Sequence, residues 1–263
     1  MMPSAGDGEG RAVMPARLSF FGFAGRSLGR TLATVIAIGG LSGCQTTAEH
    51  SAELEKSAKH ERLALQGVSV SREDRSVRVL GSTVVHSSAG TAVVVRLRNT
   101  SKHALVNAPI EITVRDAKAG VLFQNNQPGA DPALARVSLL EAGRETVWVD
   151  DQVQAAGAPV SASAVVGRGA PASGSVPRMS VSGTKASGEG EEAGATGTVT
   201  NGSKVAQAHL VVYAVARRGR RIVAAGRAVL PEVAPGASVP FQAYFVGDPS
   251  GAKIEASAPP TTF

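Results

Sequence analysis

Two stretches of the chain lying 102 positions apart repeat one pattern, and this duplication constrains the fold more than any other feature. Ser76 to Lys102 reads SVRVLGSTVVHSSAGTAVVVRLRNTSK, and Arg178 to Lys204 reads RMSVSGTKASGEGEEAGATGTVTNGSK. At constant offset Val79 meets Val181, Gly81 meets Gly183, Leu97 meets Val199, and Asn99-x-Ser-Lys meets Asn201-x-Ser-Lys. A slip of one residue then sets Ile110, Ile112 and Val114 against Val211, Tyr213 and Val215, and Val121-Leu122 against Ile222-Val223. Further on, LLEAGRETVW aligns with EVAPGASVPF, which leaves roughly eight extra residues in the first copy around QPGADPALA. A period this long marks a duplicated domain-sized module and not a solenoid repeat.

Inside each copy the hydrophobic period is two. Val93, Val95 and Leu97 alternate with Val94, Arg96 and Arg98, and Ile110, Ile112 and Val114 alternate with Glu111, Thr113 and Arg115. Such alternation gives a strand one buried and one wet face, as in antiparallel sheets. The runs are broken by turn-forming stretches: NTSKH, DAKAG, EAG, NGSK, RRGRR and APGA. With 30 glycines, 14 prolines and only 18% charged residues, the chain suits short strands and tight turns better than long helices. The expected fold class is all-β, as two tandem small β-sandwiches over 67–167 and 178–263. The linker is placed at 168–177, RGAPASGSVP, short and proline-bearing enough to restrict the interdomain angle without fixing it.

Within these modules an asparagine turn, a strand in the F-x-L-Y-D slot, an APG turn and an aromatic strand follow in order. The slot reads ITVRD (Ile112 to Asp116) in the first copy and YAVAR (Tyr213 to Arg217) in the second, and APGASVPF (Ala234 to Phe241) supplies the later turn. This arrangement resembles the FxLyD domain, a small immunoglobulin-like sandwich of bacterial envelope proteins. Arg217 departs from the aspartate, and Arg115 and Ala216 stand where the tyrosine is expected. The resemblance implies a non-enzymatic module and brings no catalytic residues with it.

The chain's single cysteine, Cys44, sits at the end of a different kind of segment. Arg26 and Arg30 precede TLATVIAIGGLSGC, in which Thr31 to Leu41 is nearly free of polarity. A basic stretch, a short apolar run and small residues before a cut point describe an export signal over 1–43. A membrane-spanning helix needs about 20 apolar residues, roughly twice this run. Leu41-Ser42-Gly43-Cys44 resembles the lipobox of bacterial lipoproteins at all four positions. That resemblance implies cleavage behind Gly43 and a diacylglyceryl thioether, with palmitate-like chains, on Cys44. Two acyl chains matter because one alone holds a protein on a membrane only marginally. Residues 44–66 then form a lipid-anchored stalk, rich in helix formers and free of glycine and proline from Ala48 to Gln66. A lone cysteine makes no internal disulfide, so the modules stand on their cores.

Catalytic chemistry finds little footing. His50, His60, His86, His103 and His209 are scattered without metal-ligand spacing, and no G-x-S-x-G elbow is present. Gly188-Glu189-Gly190 lacks the lysine and following helix of a phosphate loop. Asp150 and Asp151, as neighbours on a strand, face opposite ways. Asn99-Thr-Ser and Asn201-Gly-Ser fit the glycosylation sequon, but their matched place in the repeat favours side chains bonding the turn backbone. No cofactor is expected. Four of the 27 basic and two of the 21 acidic residues precede Cys44, so residues 44–263 carry 23 and 19, a net of +4. So mild a charge over 220 positions gives no footing for nucleic-acid binding.

Two features stand out as partner contacts. Arg217, Arg218, Arg220 and Arg221 crowd one hairpin tip, suited to an envelope protein's acidic face or an anionic wall polymer. Trp148 takes the place of Phe241 in the repeat, a core position, yet Val147 and Val149 flank it and would turn it outward if they face inward. The expected protein is therefore exported, held outside the cytoplasm at the cell membrane by lipid on Cys44, and non-catalytic in its binding or scaffolding role. The rival is a glycan-binding accessory lipoprotein, which needs an exposed aromatic platform from Trp148 and Tyr244. An enzyme is the least supported class.

Overall fold

The computed structural model describes residues 67–127 and 134–263. The expected leader, Cys44 and the expected stalk lie outside the described residues. The rest is almost wholly β. The first half contains β1 (Val77–Ser87), β2 (Gly90–Asn99), β3 (Leu105–Arg115), β4 (Val121–Gln124), β5 (Arg136–Leu140), β6 (Glu145–Asp150), β7 (Ser161–Val166) and β8 (Ala170–Pro171). The second contains β9 (Met179–Ser187), β10 (Gly194–Asn201), β11 (Gln207–Arg218), β12 (Arg221–Val233), β13 (Ser238–Tyr244), β14 (Val246–Gly247) and β15 (Lys253–Ser257). A single 3₁₀ turn at Gly190–Glu192 is the one helical element among the described residues.

Each half builds two antiparallel sheets. In the first, β2 lies between β1 and β6, while β3 pairs with β4, β5, β7 and β8. In the second, β10 lies between β9 and β13, and the other sheet runs β14-β12-β11-β15. The long β12 makes the pairings that β4 and β5 divide between them. Phe123 and Val137 are 14 positions apart where their counterparts Ala224 and Leu230 are 6 apart, so the first half carries eight extra residues here.

Strand register repeats between the halves. Val79 opposes Leu97 as Val181 opposes Val199, and Val95 opposes Trp148 as Gly197 opposes Phe241. Ala108 opposes Val137 as Leu210 opposes Leu230, and Ile112 opposes Ala164 as Ala214 opposes Ala256. Asn107 and His209, 102 positions apart, both adopt left-handed backbone at φ 54° and φ 49°. The turn asparagines match atom for atom. Asn99 Nδ2 donates to His103 O and Leu140 O while its Oδ1 accepts from Ser101 N. Asn201 Nδ2 donates to Val205 O and Val233 O while its Oδ1 accepts from Ser203 N. Both asparagines are fully buried, so each satisfies backbone groups that burial would otherwise leave unpaired.

This register corrects one expectation. The offset of 102 persists through β3 and β11, so Ile110, Ile112 and Val114 correspond to Val212, Ala214 and Ala216, not to Val211, Tyr213 and Val215. The slip comes later, in the hairpin tip, where five residues separate Arg115 from Val121 but four separate Arg217 from Ile222. A shift of one residue moves a whole set of side chains to the other face. Val212, Ala214 and Ala216 accordingly join Leu210, Val199 and Phe241 in the core of the second half. Val211, Tyr213 and Val215 belong instead to a cluster containing Val94, Val149 and the first half's core.

The two halves are therefore in contact, on β2 across the Val94 face expected to be wet and on β11 across the face expected to fill its own half's core. Ala92 to Val95 on β2 and Leu210 to Ala216 on β11 are buried without a break, because each strand is covered on both sides. Val85 of β1 abuts Gly247 of β14, where an added Cβ would come within 2.7 Å of Val85 Cγ1. The expected linker is also shorter than inferred. Ala170 and Pro171 pair with Val106 and Leu105, and Ala172 N donates to Ala104 O, so its first part is a strand of the first half.

Candidate functional site

The arginine tip forms as a hairpin, with Arg218 opposite Arg221 and Gly219 at φ 61° opening the turn. Positive φ at the first central residue is what a two-residue hairpin loop demands and what glycine supplies. The four arginines are not equivalent. Arg217 Nε lies 3.0 Å from Glu255 Oε2, and Arg218 Nη2 lies 2.8 Å from Asp248 Oδ2. Burial pushes the Glu255 carboxyl up, but hydrogen bonds from Lys253 and Arg217 outweigh it and hold the group below its ordinary range. Arg220 and Arg221 are exposed and enter no ion pair among the described residues. The tip offers an outside partner two free cations where the sequence suggested four.

Trp148 is not a contact residue. It is fully buried and lies directly opposite Val95 on β2. Cross-strand partners share a face, so the indole points with Val95 into the core of the first half. Val147 and Val149 turn the other way, which reverses the assumption that would have exposed the ring. The aromatic platform needed by a glycan-binding surface loses one of its two members, and Tyr244, 57% exposed, is left alone.

The most densely charged buried constellation lies between the halves and went unread in the sequence. Arg227, in the middle of β12 and opposite Tyr213, reaches the end of β6. Its Nη2 is 3.1 Å from Asp150 Oδ1. Its Nε is 2.8 Å from Asp151 Oδ1, without the alignment of a hydrogen bond. Nη1 donates to Val149 O at 3.3 Å, and the Arg227 backbone N donates to Asp151 Oδ2 at 2.8 Å. The arginine side chain is 5% exposed and the two carboxylates 9% and 16%. Burial raises the Asp150 carboxyl above its ordinary range by more than Arg227 lowers it. Burial likewise raises the Tyr213 phenol, with Arg227 opposing and the two aspartates adding to the shift. Asp150 and Asp151 leave β6 at its last residue, so they are no longer bound to opposite faces, and one guanidinium serves both. The readable signal was a lone arginine inside the apolar run IVAAGRAVL.

Beside this contact the halves leave an open cleft of about 1020 Å³. Thr146 and Val147 of β6 form one wall, Met179 and Val181 of β9 another, and Tyr213 and Val215 line it from β11. Among the described residues no group of three His, Cys, Asp or Glu side chains gathers to hold a metal, and no helix is long and apolar enough to cross a membrane. Leu41, Ser42, Gly43 and Cys44 lie outside the described residues. No family model matches the chain, and no curated protein matches it.

Proposed function

We propose that the protein is an exported lipoprotein of the bacterial cell envelope, fixed to a membrane through Cys44, whose two halves act as one non-catalytic binding scaffold. The observation that carries this reading is Leu41-Ser42-Gly43-Cys44, which ends a short apolar run and contains the only thiol in the chain. Each half is read as an immunoglobulin-like sandwich of the FxLyD kind. In support, β2 lies between β1 and β6 as strand B lies between A and E, and β3 pairs with β7 as C pairs with F. The joined halves hold their surfaces in a fixed relation, which suits presentation of a cleft and a hairpin tip to an envelope partner. That partner is a protein or an anionic wall polymer, met through the cleft or through Arg220 and Arg221.

The test is the chemical state of the mature N-terminus. Intact-mass analysis of membrane-extracted protein is expected to give a chain beginning at Cys44 and carrying a diacylglyceryl group and further acyl mass. Cys44→Ala is expected to leave an uncleaved or soluble product without label from radioactive palmitate. An unmodified precursor of the wild type, or palmitate label persisting on Cys44→Ala protein, would overturn the anchor.

A further inference from the structure

The join between the halves holds two carboxylates against one guanidinium. Asp151 uses both oxygens on Arg227, Oδ2 taking the backbone N–H and Oδ1 facing Nε. Asp150 meets Arg227 Nη2 and Gln152 N through Oδ1 alone, which leaves Oδ2 to carry a proton. The charged and titratable groups facing Asp150 are Arg227 from β12, Tyr213 from β11, and Asp151 from its own chain segment. With Tyr213 neutral and both aspartates ionised, the buried cluster has one negative charge too many. In a desolvated site that surplus is costly, whereas water screens it once the halves part.

We propose that the join is proton-linked: closing it takes up one proton on Asp150, so the two halves hold each other more tightly as the solution becomes more acidic. The direction follows from the geometry. The closed form holds the proton up to a higher pH than the open form, in which Asp150 is an ordinary exposed carboxylate. Between those two points closing consumes a proton, so the contact strengthens as pH falls through the closed-form titration and levels off once the open form is protonated too. The burial-raised titration of Asp150 agrees in sign.

The amide of Arg227 donates to Asp151 Oδ2 across the join, and that of Gly247 donates to Ser87 Oγ, so both report on closure. Residue-resolved hydrogen exchange on the full chain in detergent, corrected for intrinsic base catalysis, reads their protection as a function of pH. The expected result is protection rising by up to about tenfold per pH unit toward acid within the titration window. Amides in the β3–β7 ladder should not follow, and Asp150→Asn should flatten the dependence. Three results would each overturn the proposal: protection of Arg227 that is level or falls toward acid, an Asp150→Asn slope equal to the wild type's, or β3–β7 amides changing in parallel. If the asparagine variant fails to fold, the wild-type profile alone decides the sign.

Discussion

Arg227 is the single counter-charge to two carboxylates at the join. Replacing it by alanine strands two buried carboxylates without a counter-charge, and such a loss costs about 3–5 kcal/mol. Urea denaturation of Arg227→Ala at neutral pH is expected to show a loss of that order, and one below about 1 kcal/mol would mean the carboxylates find water instead. Tyr213 makes a pH prediction. Its folded-state titration lies above the ordinary value of about 10 because of burial. The folded protein therefore keeps the phenolic proton after the unfolded chain has lost it, and stability declines once pH climbs beyond the unfolded value. Tyr213→Phe keeps the ring and should remove that alkaline decline while changing neutral stability much less. An undiminished decline in the variant's urea midpoints would assign it elsewhere. Asn99 and Asn201 make the same bonds in two places. Alanine at either site leaves buried backbone groups unpaired, at about 1–3 kcal/mol each, and equilibrium melts of the double variant should show the two losses adding.

At the level of strands, the pair Gly197 and Phe241 shows how one register accommodates different side chains. Val95 faces Trp148 in the first half, but the second half sets Gly197 beneath the Phe241 ring, where an added Cβ would lie 2.7 Å from Phe241 Cε1. Gly197→Ala should therefore cost about 1–3 kcal/mol, and Phe241→Leu in the same chain should recover part of it in a double-mutant cycle. Additive losses would show that the ring is not what the methyl meets. The same strands mark how far the sequence could be read. Alternation along β2 and β3, the asparagine turns and the arginine hairpin were all legible, because each is written in local spacing. The faces of β11 were not. LVVYAVA is apolar at every position, and a strand covered on both sides gives parity nothing to mark. AVVVR on β2 carried the same unread sign that its outer face meets something. Arg227 was hidden for another reason: its aspartate partners lie 76 and 77 positions away, and no spacing rule joins them.

For the whole molecule, the shared cluster that contains Val94, Val149, Tyr213 and Val215 predicts that the two halves unfold together. Calorimetry of the wild type should give one transition with equal calorimetric and van't Hoff enthalpies. Ala225→Asp puts a charge at a fully buried position opposite Val215 and should split the trace in two, since it wounds the join and not either inner core. Two transitions already present in the wild type would show that the halves melt separately. The covered face of β11 also bears on how the gene can be cut. A fragment beginning between the repeats would bare Tyr213, Val211 and Val215, the side chains that the first half covers, and would tend to clump. Each half shields apolar side chains of the other, so a usable cut in the gene has to fall outside both.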